Sequence, residues 1–520
     1  MARMLIAGFL LFGLAVAAGR GPGADVHGQT PGQSIQAAID SAQPGDTITV
    51  TGGVYHERIV IDKTVTLTGA GRPVIDGDGG GDVVTIRGSG VTISGFEIRN
   101  SGTAVSREPA AIKIQNAHEP TVRSNVIKDS LYGIHITGSH HATIAFNEID
   151  PGENIAIERR GHGIYMWEVS EAAIHSNVIN RAADGIHLEF SDDNGIAQNT
   201  VQNSRYALHL MSSDNNRIVG NKFHDNLAGA VLMFSHELLL KDNDLSNNRL
   251  GASGTGILLK DADNIFVEGN TLLRNKYGMT VEGTPNSAGA TATFLRNTFA
   301  LNDTGIGLSS NAPITFVENA MIENTVQVEA ISGALGARIG AEHGASVTTN
   351  TGSGSSDHNG HSGQDNSSTE PTPSVGSRPE VAVWTVSGRG NYWSDYSGYD
   401  ADGDGVGDRP YLPEPPFAGA LDGNDTLRLF QHTLAQQAID VASDMFPVYR
   451  YDEVIRDDGP LMTPPGPALP DERGFNGELL IVSAMLIVLS GAILQAVLDI
   501  DVAGFLRIRR RTAGLEGRAS

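Results

Sequence analysis

The chain is 520 residues long, with 36 lysines and arginines against 60 aspartates and glutamates, a net charge of −24. That balance argues against a general nucleic-acid binder, which needs basic surface to displace counterions, and it fits a chain from a saline habitat. There is no cysteine, so disulfides, thiolate metal sites, a cysteine nucleophile and a lipidated N-terminal cysteine are excluded.

At the N-terminus, Arg3 precedes the apolar run LIAGFLLFGLAVAA from Leu5 to Ala18, which ends in the small residues Ala15, Ala17 and Ala18. A basic start, a short apolar run and a small-residue site predict a secretory signal over residues 1–18. The alternative, a buried N-terminal helix, is disfavoured by the GRGPGAD that follows.

The body repeats. An asparagine followed by a small-then-apolar run recurs at Asn125, Asn147, Asn177, Asn199, Asn221, Asn243, Asn270, Asn297 and Asn319, with steps of 22, 27 or 30. A Gly-apolar-x-apolar motif recurs at Gly133, Gly163, Gly185, Ala207, Gly229, Gly256, Gly278 and Gly305. The distance from this motif to the next asparagine is 14 in seven of eight repeats, so the underlying period is 22, with short insertions. Segments such as GIHLEF and GIYMWE alternate apolar and polar residues, as strands do. Short strands, turn residues and a constant coil length predict an all-β fold, a right-handed parallel β-helix solenoid over residues 34–343. The recurring asparagines are expected to stack as a ladder in a turn.

Counted from the motif glycine, positions +1 and +3 are apolar and point inward, so +2 and +4 point outward. The +2 column reads His135, Tyr165, His187, His209, Val231, Leu258, Thr280; the +4 column reads Thr137, Trp167, Glu189, Met211, Met233, Lys260, Glu282. Met166 and Met279 are expected in the core. Met211 and Met233 are expected outside, stacked on each other beside His209 and His187. Thioether and imidazole groups within reach of one another form a soft site suited to Cu(I), and His236 lies at the end of the Met233 strand. The same methionine pair also fits packing against a loop or a partner protein. A third reading is a carbohydrate-binding or polysaccharide-cleaving β-helix, with carboxylates among Asp184, Glu189, Asp192 and Asp193, and Tyr165 and Trp167 as sugar platforms. Cleavage needs a pair of carboxylates ~5–9.5 Å apart, and no matched pair repeats in one column.

Residues 344–380 are rich in Ser, Gly, Asn, Thr and Pro and read as a flexible linker; its His358 and His361 are solvated loop residues. Residues 381–475 read as a capping segment, with Tyr392, Trp393, Tyr396 and Tyr399 packing it onto the end of the solenoid. Within it Asp400, Asp402, Asp404 and Asp408 follow the spacing of a Ca²⁺ loop, with Gly405 at the sharp turn. Tyr411 replaces the bidentate glutamate that would close such a loop, and an Asp/Gly turn is the alternative. Leu479–Leu498 is a run of 20 residues without a formal charge, enough to cross ~30 Å of hydrocarbon. The arginine-rich tail, residues 499–520, then predicts one transmembrane helix with a cytoplasmic end; a buried C-terminal helix is the alternative.

Several segments together, GHGIYMWEVSEAAIHSNVIN, SRYALHLMSSDNNRI, GAVLMFSHELLL and GRGNYWSDYSGYDADGDGVGDRPY, resemble the NosD family of nitrous-oxide reductase maturation proteins. The resemblance runs from about Ser34 to about Pro447. It implies a periplasmic β-helix that binds copper and is an accessory protein, not an enzyme. The implied partners are an ABC transporter (permease and ATPase), a copper chaperone and apo nitrous-oxide reductase. Carried onto this chain, the outward His187, His209, Met211 and Met233 become candidate ligands for copper in transit. The expected location is extracytoplasmic, tethered by the C-terminal helix.

Overall fold

The computed structural model describes residues 25–29, 32–152, 156–251, 254–310, 314–330, 382–413 and 455–465. The expected signal (1–18), linker (344–380), transmembrane helix (479–498) and tail (499–520) lie outside the described residues. Among the described residues no helix is long and apolar enough to cross a membrane.

The expected winding is present. Short strands stack into three parallel sheets of 14, 12 and 13 strands among the described residues, each strand pairing with its counterparts in the preceding and following coils. This arrangement is consistent with the right-handed β-helix read from the sequence. The coils longer than 22 residues keep their register because the extra residues lie in corners. The Asn147-to-Asn177 coil, for example, carries its surplus between Asp150 and Ile164, and Ile134 still pairs with Ile164.

The core follows from strand alternation. Ile134, Ile164, Ile186, Leu208, Ala230, Ile257 and Met279 form one inward column, each in register with the next and each fully buried. Met166 is likewise in the core, as expected. The motif glycine is required because space is absent: a Cβ on Gly163 would lie 2.5 Å from Ile179 Cγ2 and 2.6 Å from the Gly185 carbonyl.

The asparagines form the expected ladder. Asn177 donates its backbone N–H and its Nδ2 to Asn199 Oδ1, both at 3.0 Å, and Asn199 repeats this on Asn221 at 2.9 and 3.1 Å. Each buried amide thereby satisfies a turn that would otherwise strand unpaired backbone groups. A second ladder runs through Asn226, Asn248, Asn275, Asn302 and Asn324.

The region expected as a separate cap in fact continues the solenoid. Ala382–Val383 pairs with Ile314–Thr315, and Tyr392–Trp393 pairs with Ala320–Met321. Asn391 takes the next rung of the asparagine ladder, accepting from Asn319 at 2.9 and 3.0 Å. The inward aromatics Phe294, Phe316 and Trp384 stack at 4.6 Å intervals. The ladder then ends on a different residue. The buried Asp457 accepts from Asn391 N at 2.7 Å, Trp393 Nε1 at 2.9 Å and Thr385 Oγ1 at 2.8 Å.

Candidate metal centre

The site lies on the outer side of the 12-stranded sheet, on the coils containing Ile164–Trp167, Asp184–Glu189 and Tyr206–Met211. The +2 column points outward as alternation requires, yet it is buried: His135, Tyr165, His187 and His209 are all shielded from solvent. Flanking side chains fold over it. Tyr132 contacts His135, His162 and Tyr165, while Tyr206 and Leu227 cluster with Val231 and Leu258. The outward face is thus a second, smaller core with histidines at its centre.

Of the candidate ligands, His187 and His209 are brought together in register, their rings stacked at 4.4 Å and 12°. Two further residues join them. His162 contacts His187 ring to ring at 4.8 Å, and the Asp184 carboxylate, with no exposed area, sits beneath all three imidazoles. Its Oδ2 is 3.0 Å from His209 Nδ1, 3.5 Å from His162 Nδ1 and 3.8 Å from His187 Nδ1. Arg205 holds Asp184 in a two-pronged grip, with Nε and Nη2 each at 2.9 Å, and its guanidinium lies 4.7 Å over the Tyr206 ring.

The electrostatics follow from burial and this one anion. Burial would raise the Asp184 carboxyl, but the Arg205 charge, the His209 hydrogen bond and His162 together hold it well below the usual carboxylate range. It is therefore ionised and can only accept, so the proton between it and His209 resides on Nδ1. His209 Nε2 is left without a hydrogen-bond partner. Burial pushes His162 down to about 4, against the opposing pull of Asp184. Burial, followed by the neighbouring His209 and His162, pushes His187 well below the ordinary imidazole value. These rings are neutral at pH 7, the form that ligates metal.

Neutral buried imidazoles normally find hydrogen-bond partners. Here His187 Nδ1 and Nε2, His162 Nδ1 and His209 Nε2 are buried and have none. His162, His187 and Asp184 bring ligand atoms within 4.8 Å of one another, a set that suits a metal ion of intermediate character. Ring, carboxylate and guanidinium also form the outer-sphere relay that orients metal-binding histidines.

Met211 and Met233 pair with each other across adjacent coils, as expected, and are half-buried. They lie two residues along the strand from the histidine column, a translation of ~6.6 Å, at the rim of the cluster. Met233 also packs on the apolar group of Tyr206, Leu227, Val231 and Leu258, so the methionines serve packing as well. Tyr165 donates to Glu189 at 3.0 Å.

His162 and Arg205 escaped the sequence reading, which followed only the +2 and +4 columns. The −1 column reads Tyr132, His162, Asp184, Tyr206, and it supplies both the carboxylate and the third imidazole. Arg205 stands one residue earlier still.

The Asp-rich turn is a separate feature. Asp400, Asp402 and Asp404 approach closely enough for one cation to touch all three. Asp400 accepts from Gly403 N at 2.6 Å and Gly405 N at 2.9 Å, and the Gly405 hydrogen bond chiefly lowers its pKa. Asp408 turns aside to accept from Ala401 N at 2.7 Å, so three of the four expected ligands converge.

Comparison with known proteins follows the same line. A family model described as "Periplasmic copper-binding protein (NosD)" matches residues 74–157 and 149–338. The "Probable ABC transporter binding protein NosD" of Pseudomonas aeruginosa is 32% identical over 418 residues, covering 80% of this chain and 88% of the relative. Its namesake from Stutzerimonas stutzeri is 31% identical over 423 residues, covering 81% and 88%. Among solved structures, the A-module of the Azotobacter vinelandii mannuronan C-5 epimerase AlgE6 is similar with a TM-score of 0.39 and 16% identity, over 57% of this chain and 91% of that one. A Thermotoga maritima exopolygalacturonase gives 0.37 and 13%, over 55% and 82%.

Proposed function

The chain belongs to the NosD family of periplasmic copper-binding proteins, and from that premise we propose that it holds copper in transit during maturation of nitrous-oxide reductase. One observation carries the reading: ring nitrogens of His162, His187 and His209 are buried together without hydrogen-bond partners. Copper is cargo here, not a resident cofactor. Asp184 and Arg205 orient the imidazoles, and Met211 and Met233 offer thioethers at the rim, suited to Cu(I) entering or leaving.

On this reading the protein is an accessory factor with no catalytic residue. Asp184, paired with Arg205 and buried, is poorly suited to act as the general acid that glycan cleavage needs. The relatives' names, as binding proteins of an ABC transporter, support association with such a permease and ATPase; a copper chaperone and apo nitrous-oxide reductase complete the set. Residues 1–18 direct export, the body stands in the periplasm, and Leu479–Leu498 anchors it. The convergence of Asp400, Asp402 and Asp404 supports Ca²⁺ as a structural ion at the last coil.

The test is an anaerobic Cu(I) titration of the full chain against a competing chelator. Saturable binding that is lost in the His187→Ala, His209→Ala double variant supports the reading. Absence of binding by the wild-type chain overturns it and leaves a metal-free docking scaffold.

A further inference from the structure

Beside the histidine cluster runs a strip of apolar side chains, Phe190 and Phe234 exposed and Trp167, Met211 and Met233 half-buried. The corner that follows each of the central strands of the 12-stranded sheet, from Tyr132–Thr137 to Tyr277–Glu282, is turned by one residue with left-handed backbone. Successive coils place Gly138, Glu168, Phe190, Ser212, Phe234, Asp261 and Gly283 there, with φ between +47° and +55°. Glycine adopts this conformation freely and small polar residues with modest strain; a bulky aromatic does so at greater cost. Phe190 and Phe234 nevertheless occupy it, with 50% and 42% of their surface exposed, so burial does not compensate.

Their neighbours extend the strip. Trp167 meets Phe190 edge to face at 5.2 Å. Met211 and Met233 pair in register on the next two coils, with Phe190 N bonding to Met211 O and Ser212 N to Met233 O. Lys260, which approaches Glu282 at 4.0 Å, ends the strip. Its flank is acidic: Glu168, Asp192 and Asp193 are exposed, and Asp214 and Asp261 are half-buried. Phe146, on a different corner, is also left-handed at φ +56° and 59% exposed, but it stands alone against His175, so what sets Phe190 and Phe234 apart is their recurrence beside Trp167, Met211 and Met233.

We propose that the strip of Trp167, Phe190, Met211, Met233 and Phe234 is the docking surface for a copper-exchanging protein whose contact face is apolar at its centre and rimmed by lysine and arginine. The proposal rests on the copper reading above, because the two methionines join the strip to the histidine cluster. Aromatic and methionine side chains are the types enriched in protein interfaces. The acidic flank selects a basic partner and steers its approach, and it repels anionic lipid, which disfavours a membrane as the occupant.

The experiment compares the full wild-type chain with a Phe190→Ser, Phe234→Ser variant, serine being what Ser212 already places at this corner. The probes are the purified copper chaperone and purified apo nitrous-oxide reductase of the same source, at low and high salt, measured by biolayer interferometry. The expected result is wild-type binding to at least one probe that weakens with salt, and a loss of about tenfold or more in the variant. Melting and Cu(I) affinity stay at wild-type values, and Phe146→Ser binds as wild type. A separate Asp192→Lys, Asp193→Lys variant, which leaves the aromatics in place, loses the salt dependence. Equal binding by the Phe190→Ser, Phe234→Ser variant, no wild-type binding to either probe, wild-type self-association through the strip, or strip-dependent binding to phosphatidylglycerol vesicles overturns the docking surface. Failure of the wild-type Cu(I) titration overturns the copper reading instead, whatever the probes do.

Discussion

The His187 and His209 rings lie parallel at 4.4 Å, and between them they keep three nitrogens free of any hydrogen bond. Stacking of this kind is what parallel coils impose on any residue that recurs at one strand position, since counterparts sit ~4.8 Å apart. What converts a stack into a candidate site is the Asp184 carboxylate below it, which accepts from His209 Nδ1, while His209 Nε2 stays without a partner.

Asp184→Asn removes that orienting charge while keeping the side-chain volume. The amide is expected to lower Cu(I) affinity by about 10–100-fold, the range seen when outer-sphere partners of metal histidines are removed. Competition titration measures the affinity, and a melt of the same sample separates this from unfolding. Retention of wild-type affinity in a folded variant would show that Asp184 serves only Arg205.

Met211→Ala together with Met233→Ala is expected to leave the solenoid folded, because both side chains sit at the rim rather than in the central core. Cu(I) affinity falls if the thioethers contribute ligands. An unchanged affinity combined with slower transfer of Cu(I) to an acceptor protein would assign them to exchange alone.

Asp457→Ala strands Asn391 N–H, Trp393 Nε1 and Thr385 Oγ1 inside the last coil. Buried groups left without a partner cost about 1–3 kcal/mol, and the loss is expected at the C-terminal end of the described solenoid. Hydrogen exchange checks this: protection falls at Tyr392 and Trp393 and persists at Ile186 and Leu208, as expected where each repeat touches only its neighbours. Uniform loss of protection would mean that the coils unfold as one unit.

Acid is expected to weaken the N-terminal coils through Asp76. Burial pushes this carboxyl up, but hydrogen bonds from Asn100, Arg99 and Asp78 outweigh it and hold the pKa at about 2, against an ordinary 3.8. A carboxyl depressed in the folded state stabilises above its unfolded pKa and loses that contribution as pH falls toward its folded value. The wild type should therefore exceed Asp76→Asn by roughly 2 kcal/mol near pH 6, and the gap should close between about pH 4 and pH 2. Denaturant unfolding of both chains across that range measures the gap; a constant gap would refute the assignment.

The winding, its 22-residue period, the inward Met166 and Met279, and the asparagine ladder were all legible, because period-two alternation and fixed spacing report directly on strand faces. The pairing of His187 with His209 was legible for the same reason. The burial of the outward column was not, since it depends on Tyr132, Tyr206 and Leu227 folding across from a corner, where alternation gives no direction. The continuation of the solenoid through Asn391 carried a readable cue, GNYW matching GNKF and GNTL, but the step of 72 from Asn319 to Asn391 hid the rung. Asp457 offered no cue, because its role is defined only by the asparagine that it replaces.

That replacement bears on how the molecule ends. A rung made of asparagine both accepts from the coil below and donates to the coil above, so a stack of such rungs has no internal reason to stop. Another solenoid could dock on its last rung and grow a fibre. Asp457 accepts from Asn391, Trp393 and Thr385 and has no side-chain N–H to donate onward, so it acts on the ladder as a chain terminator acts on a growing polymer. Among the described residues the amide series is thereby closed by a side chain that offers no further rung.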